Sequence, residues 1–211
     1  MRPVNSDRQT GGTRPTLRQE RAAVTRRRIL DAARRLFFRD GYAATTLKAV
    51  AEEAGVAVQT VYAVFGSKAA ILAELRSLVV SLPEADSALR EAMREPTVER
   101  RLAGFARSIR QRWEPAGDIV KVNEDAARVD PAIRAGVETA RDRRQAGIAS
   151  FVRAIQEDLA VGIDVARAAA VVDALTLYDV YAQLVGFHAW SPDAYEAWLR
   201  DELISSVPRA I

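Results

Sequence analysis

Along this chain apolar residues recur at spacings of three and four rather than two, the period of helices packed on one face. From Arg21 onward, Val24, Ile29, Leu30, Ala33, Leu36 and Phe37 make one stripe, and Gly41 supplies a stop. Thr46 is an N-cap residue type ahead of Leu47, Val50, Ala51 and Ala54, and Gly55 closes that short run. AVQTVYAVF then reads as a second short helix, with Val58, Val61, Tyr62 and Phe65 as its contacts. Ser67 caps a further helix that carries Ile71, Leu72 and Leu75 and runs to about Leu82.

The rest of the chain keeps the same period. PEADSALREAMREP interrupts it, with room for a short helix, and Leu102, Phe105, Ala106, Ile109 and Trp113 form the next stripe. After Pro115 and Gly117 comes a shorter one, Ile119, Val122, Ala126 and Val129. Asp130-Pro131 is a cap followed by a first-turn proline. It opens a long helix with Ile133, Val137, Ala140, Ile148, Phe151, Val152, Ile155 and Leu159, ended by Gly162. Asp164 caps a helix running to about Val185, and Ser191-Pro192-Asp193 opens a last one with Trp198, Leu199 and Leu203. The expected fold is all-α, of about nine helices, with no internal repeat.

The 211 residues suffice for a sizeable core. With no cysteine and one histidine, His188, disulfides, thiolate sites and multi-histidine metal centres are excluded. MRPVNSDRQTGGTRPTLRQE has no apolar core, so no secretory signal is expected, and no run approaches the length of a membrane span. The expected location is cytoplasmic. Charge changes the picture more. Residues 1–70 hold 13 Lys/Arg against 6 Asp/Glu, whereas residues 71–211 hold 18 against 22. A basic head on an acidic body points to a polyanionic partner.

Two helices too short to stand alone, joined at Gly55 and backed by the helix before them, make a helix-turn-helix. Its second helix is placed to enter a DNA major groove. The stretch GYAATTLKAVAEEAGVAVQTVYAVFGSKAAIL resembles the DNA-binding domain of TetR-family transcriptional repressors. The resemblance lies in Gly41-Tyr42, Thr45-Thr46, Val50-Ala51, Ala54-Gly55-Val56, Thr60-Val61-Tyr62, Phe65 and Ser67-Lys68. The chain departs from the family pattern at Ala57, where a cap worth about 1 kcal/mol is missing. It departs also at Ala49, which cannot close a capping box with Thr46, and at Val64 and Ala69.

The resemblance implies a division into a disordered basic arm (1–19), a three-helix head (20–66), and a helical ligand-binding and dimerisation domain (67–211). It implies DNA contacts from seven residues. Thr46 and Lys48 meet phosphate; Val58, Gln59 and Thr60 face base edges; Tyr62 places its hydroxyl on a phosphate; Lys68 anchors another. Gln59 is the expected base reader, since its amide can pair bidentately with adenine. In the arm and just past it, Arg14, Arg18 and Arg21 add positive charge.

The resemblance further implies a homodimer through the last two helices, whose stripe is Ala168, Val171, Val172, Leu175, Tyr178 and Ala182. It implies an inducer pocket in the body, with Phe105, Ile109, Trp113, Val137, Tyr178 and Tyr181 as walls and Asn123 and Arg141 as polar members. The function it implies is a ligand-responsive dimeric repressor on a palindromic operator, without a cofactor and without enzymatic activity. The alternatives are an all-α enzyme and a helical adaptor. The first has no acid–histidine pair, phosphate loop or carboxylate cluster in its favour. The second leaves the basic head unexplained.

Overall fold

The computed structural model describes residues 16–80, 82–158 and 164–207, and every regular element among them is helical. Residues 1–15, which hold most of the expected arm with Arg14, lie outside the described residues, as do Leu159 and Gly162. The head is α1 (Leu17–Asp40), α2 (Leu47–Ala54) and α3 (Val58–Phe65). The body is α4 (Lys68–Val80), α5 (Pro83–Ala92), α6 (Val98–Trp113), α7 (Gly117–Ala127), α8 (Pro131–Ala154), α9 (Val165–Leu175), α10 (Tyr178–Tyr181) and α11 (Pro192–Ser206). A π-helical stretch, Ala182–Phe187, continues α10, and among the described residues no single helix is long and apolar enough to cross a membrane.

Helix α1 begins before Arg21. Thr16 and Gln19 close a capping box, each backbone N–H donating to the other's side chain at 2.8 and 3.3 Å, so the helix starts at Leu17. Only the second half of α1 is buried, through Ile29, Leu30, Ala32, Ala33, Leu36 and Phe37. Val24, expected in the stripe, is 60% exposed because α1 has run past the head's core at that point.

The expected helix from Asp164 to about Val185 is broken. Thr176 and Leu177 leave helical geometry, and the axes of α9 and the segment after it differ by 41°. Side chains take up the backbone carbonyls at the break. The Trp113 indole donates to the Thr176 carbonyl at 3.1 Å, and the Thr176 hydroxyl turns back to Val172 O at 2.6 Å.

Packing divides the chain into two cores. One joins α1–α4 to Ala116, Ile119, Val122 and Ala126 of the α7 region and to Ile133 at the start of α8. The other joins α6, the end of α8, α9, α10 and α11, with Tyr195, Leu199 and Leu203 fully buried. Helix α7 lies along α8 and closes the first core against α1 and α4, so this core spans head and body.

Candidate nucleic-acid interface

The α2–α3 turn is built on Gly55, whose backbone is left-handed (φ 64°, ψ 42°). The N–H groups of Gly55 and Val56 donate to Glu52 O (3.1 Å) and Ala51 O (3.0 Å), the paired bonds of a Schellman close. A side chain there would be strained, and its Cβ would stand 2.6 Å from the Arg28 guanidinium. The turn therefore sets the angle at which α3 leaves α2.

Helix α3 has two faces. Val61 and Phe65 are buried in the first core, and Gln59, Tyr62 and Ala63 look outward, Tyr62 being 55% exposed. Val58 and Thr60 are half-buried at the edges, and Val58 also packs on the core. No side chain caps α3 at Ala57. Behind α3, Arg26 stacks over the Phe65 ring at 4.5 Å, pairs with both oxygens of Glu74 on α4, and donates to Val64 O at 3.4 Å.

Thr46 caps α2, its hydroxyl accepting from Ala49 N at 3.1 Å; Ala49 offers nothing in return. Lys48 is exposed on the first turn, with Glu52 at 3.9 Å as a loose neighbour. Thr45 is buried, its hydroxyl bonded to Gly41 O at 2.8 Å.

Lys68, expected as a phosphate anchor, opens α4 and is half-buried. Its ammonium donates to three backbone carbonyls, Tyr42 O (2.6 Å), Thr45 O (2.8 Å) and Ala43 O (3.3 Å), and lies 4.3 Å from the Tyr42 ring centroid. Burial lowers its pKa from the usual lysine value, and Asp130 opposes that. The Tyr42 hydroxyl meets Asp130 Oδ2 at 3.4 Å; burial first, and the Asp130 carboxylate second, push its pKa up to about 12.

Head and body are also joined by Arg34, whose guanidinium makes a fork on Asp118, both bonds 2.6 Å, and donates to Pro115 O at 2.6 Å. Periodicity could not have found Arg34, Arg26 or Lys68 in these roles. Their partners lie 84, 48 and 23 to 26 residues away.

In the body, the expected pocket residues separate. Phe105, Ile109, Trp113 and Tyr181 are buried in the second core. Phe105 stacks on Phe151 at 4.1 Å, and Trp113, Tyr178 and Tyr181 form a run of ring contacts at 5.6 and 6.3 Å. Val137 packs on the first core instead. Asn123 is only 4% exposed; its amide donates to Ile119 O at 2.8 Å and its carbonyl oxygen has no hydrogen-bond partner. Arg141 is exposed, and Arg144, three residues on, is the arginine that turns in.

Arg144 pairs with the Asp173 carboxylate and donates to Asp173 O (3.0 Å) and the Thr176 hydroxyl (2.7 Å). Burial lowers its pKa from the usual arginine value. Tyr195 is fully buried with its hydroxyl unpaired, and its pKa is raised by burial. A surface recess of about 540 Å³ lies between α5 and α6, lined by Glu84, Glu91, Arg100, Arg107 and Gln111 among others, and by none of the expected pocket residues.

Residues 29–75, from the buried half of α1 into α4, match the family model described as bacterial regulatory proteins, tetR family. That match covers the head and the start of α4. The likeness to solved structures of transcriptional regulators, some of them described as TetR-family, extends through the body. The regulator PfmR from Thermus thermophilus matches with a TM-score of 0.64 at 22% identity, over 94% of this chain and 98% of PfmR. A proposed transcriptional regulator from Saccharomonospora viridis, solved with choline, matches at 0.65 and 26% identity over 86% and 96%. FadR from Bacillus subtilis, solved with stearoyl-CoA, matches at 0.66 and 17% identity over 85% and 97%. No curated protein matches this chain significantly. The TetR-family fold places the helix-turn-helix DNA-binding unit at the N-terminus, where α2 and α3 lie.

Proposed function

We propose that this chain is a member of the TetR family, a ligand-responsive transcriptional repressor that binds a palindromic operator as a homodimer. The observation that carries the reading is the outward face of α3, where Gln59 and Tyr62 stand exposed on a helix held from behind by Val61 and Phe65. On DNA, Gln59 reads a base edge, Val58 and Thr60 flank it, and Tyr62, Thr46 and Lys48 meet the backbone. Residues 20–66 act as the DNA head and 67–211 as the ligand and dimer body.

The dimer forms through α9–α10 and α11. Ala168 and Val172 of the expected stripe are committed to the protomer's own core, so the contact falls to the exposed Leu177, Phe187 and Trp190. Two heads then lie about one helical turn of DNA apart.

The inducer enters the body beside Trp113, Tyr178 and Tyr181. Relatives solved with choline and stearoyl-CoA show how widely ligands differ on this fold, so they do not name this one. A ligand favouring one head spacing shifts the population between bound and released states.

The test is a gel shift with a labelled fragment from the region upstream of the protein's own gene, at two salt concentrations. Binding that weakens steeply with salt is expected. No shift even in dilute buffer overturns the reading.

A further inference from the structure

Lys68 is the first residue of α4, and its ammonium carries three N–H bonds. Tyr42 O, Thr45 O and Ala43 O accept from it at 2.6, 2.8 and 3.3 Å, leaving no donor for a phosphate. These carbonyls belong to the turn between α1 and α2, outside both helices. Thr45, the residue before the α2 cap, is held from the other side by its own hydroxyl on Gly41 O. The Tyr42 ring under the ammonium is tied through its hydroxyl to Asp130, which caps α8 by accepting from Ala132 N and Ile133 N.

We infer that Lys68 is a positioning residue for DNA binding: its ammonium fixes the turn that ends in Thr46, and so sets where the first turn of α2 meets the backbone, without touching DNA. A phosphate anchor offers its donors to the phosphate, and here three carbonyls and an aromatic face take them up on a half-buried side chain. The inference rests on the proposed DNA reading, but one arm of the test does not.

That arm is reductive methylation of the wild-type protein, read by mass spectrometry. The chain's lysines are Lys48, Lys68 and Lys121. Lys48 and Lys121 are expected to react readily and Lys68 slowly, and a duplex recovered by selection from a random library is expected to protect Lys48 alone. A Lys68 that reacts freely until the duplex is added overturns the inference. If the wild type binds no duplex, the DNA reading fails while a slow Lys68 still upholds the tie.

The second arm is Lys68→Met, which keeps the stem and removes the donors. Affinity for the selected duplex should fall about tenfold at fixed salt, with the slope of log affinity against log salt unchanged. A slope smaller by about 0.9 marks a lost phosphate contact and overturns the inference. So does unchanged affinity with only a lower Tm, which marks a purely structural lysine. The loss should also be non-additive with that of Thr46→Ala; additive losses would show that Lys68 does not act through Thr46.

Discussion

In the head, the polar residues expected to work face outward, and Gln59 and Tyr62 have no hydrogen-bond partner among the described residues. In the body they face inward. Arg144 is wrapped by Asp173 and Thr176, Tyr195 buries a hydroxyl without a partner, and Asn123 buries an unpaired carbonyl oxygen. The head thus leaves these polar groups open to solvent. The body holds polar groups in its interior that have no hydrogen-bond partner among the described residues. Between them stands α7, which packs on α1 of the head and on α4 and α8 of the body, and begins under Tyr178, so close that a Cβ on Gly117 would lie 2.4 Å from the Tyr178 hydroxyl. From Arg144 through Thr176, Trp113, Tyr178 and Gly117 to Asp118 and Arg34, contacts are continuous from body interior to α1.

The sharpest way to break this contrast is Phe37→Ala. The ring is fully buried in the shared core, and its loss should cost about 3–5 kcal/mol. Amide exchange should then show α7 losing protection together with α1–α4 while α6 and α11 keep theirs. Protection surviving in α7 would take that helix out of the shared core.

A smaller effect is expected from Arg34→Gln. The fork on Asp118 is more than a third exposed on the arginine side, so its loss should cost about 1 kcal/mol. The larger consequence is angular. The chain has no cysteine, so spin labels on Glu52→Cys in α2 and Glu138→Cys in α8 report the head–body distance in labelled protomers diluted with unlabelled ones. Arg34→Gln should broaden that distribution, and an unchanged distribution would remove Arg34 from the coupling.

The smallest effect is at Glu124, whose pKa is raised above its ordinary 4.5 by partial burial and then by Asp179. Because the folded state holds this proton more tightly, the penalty for the ionised form is absent below about pH 4.5 and complete above the raised folded value. Glu124→Gln should therefore raise Tm slightly at pH 7 and not at pH 4. A gain of equal size at both values would put the cause elsewhere.

Much of the head could be read from its residues, because a helix-turn-helix is encoded locally. Thr46 and Gly55 act within a few residues of where they stand, and Val61 and Phe65 fall on the buried face their spacing predicts. Lys68 and Arg34 could not be read that way, since their partners come from a distant turn and a distant helix. In the body, periodicity found the helices but not their ends. At the break, the Thr176 carbonyl is taken up by the indole of Trp113, 63 residues earlier. Arg141 and Arg144 differ by less than one helical turn, and only the position of Asp173 shows which one turns inward. The expected helix start at Arg21 missed a capping box that was present in the sequence as Thr16 and Gln19.

The central claim is that α3 reads base edges through Gln59, and selection of duplexes from a random library by wild type and by Gln59→Ala tests it most directly. The account predicts that the variant still binds, with the same salt slope, and loses its preference at one or two base pairs in each half-site. An operator preference identical to the wild type's, or a wild type that enriches no sequence at all, would contradict it.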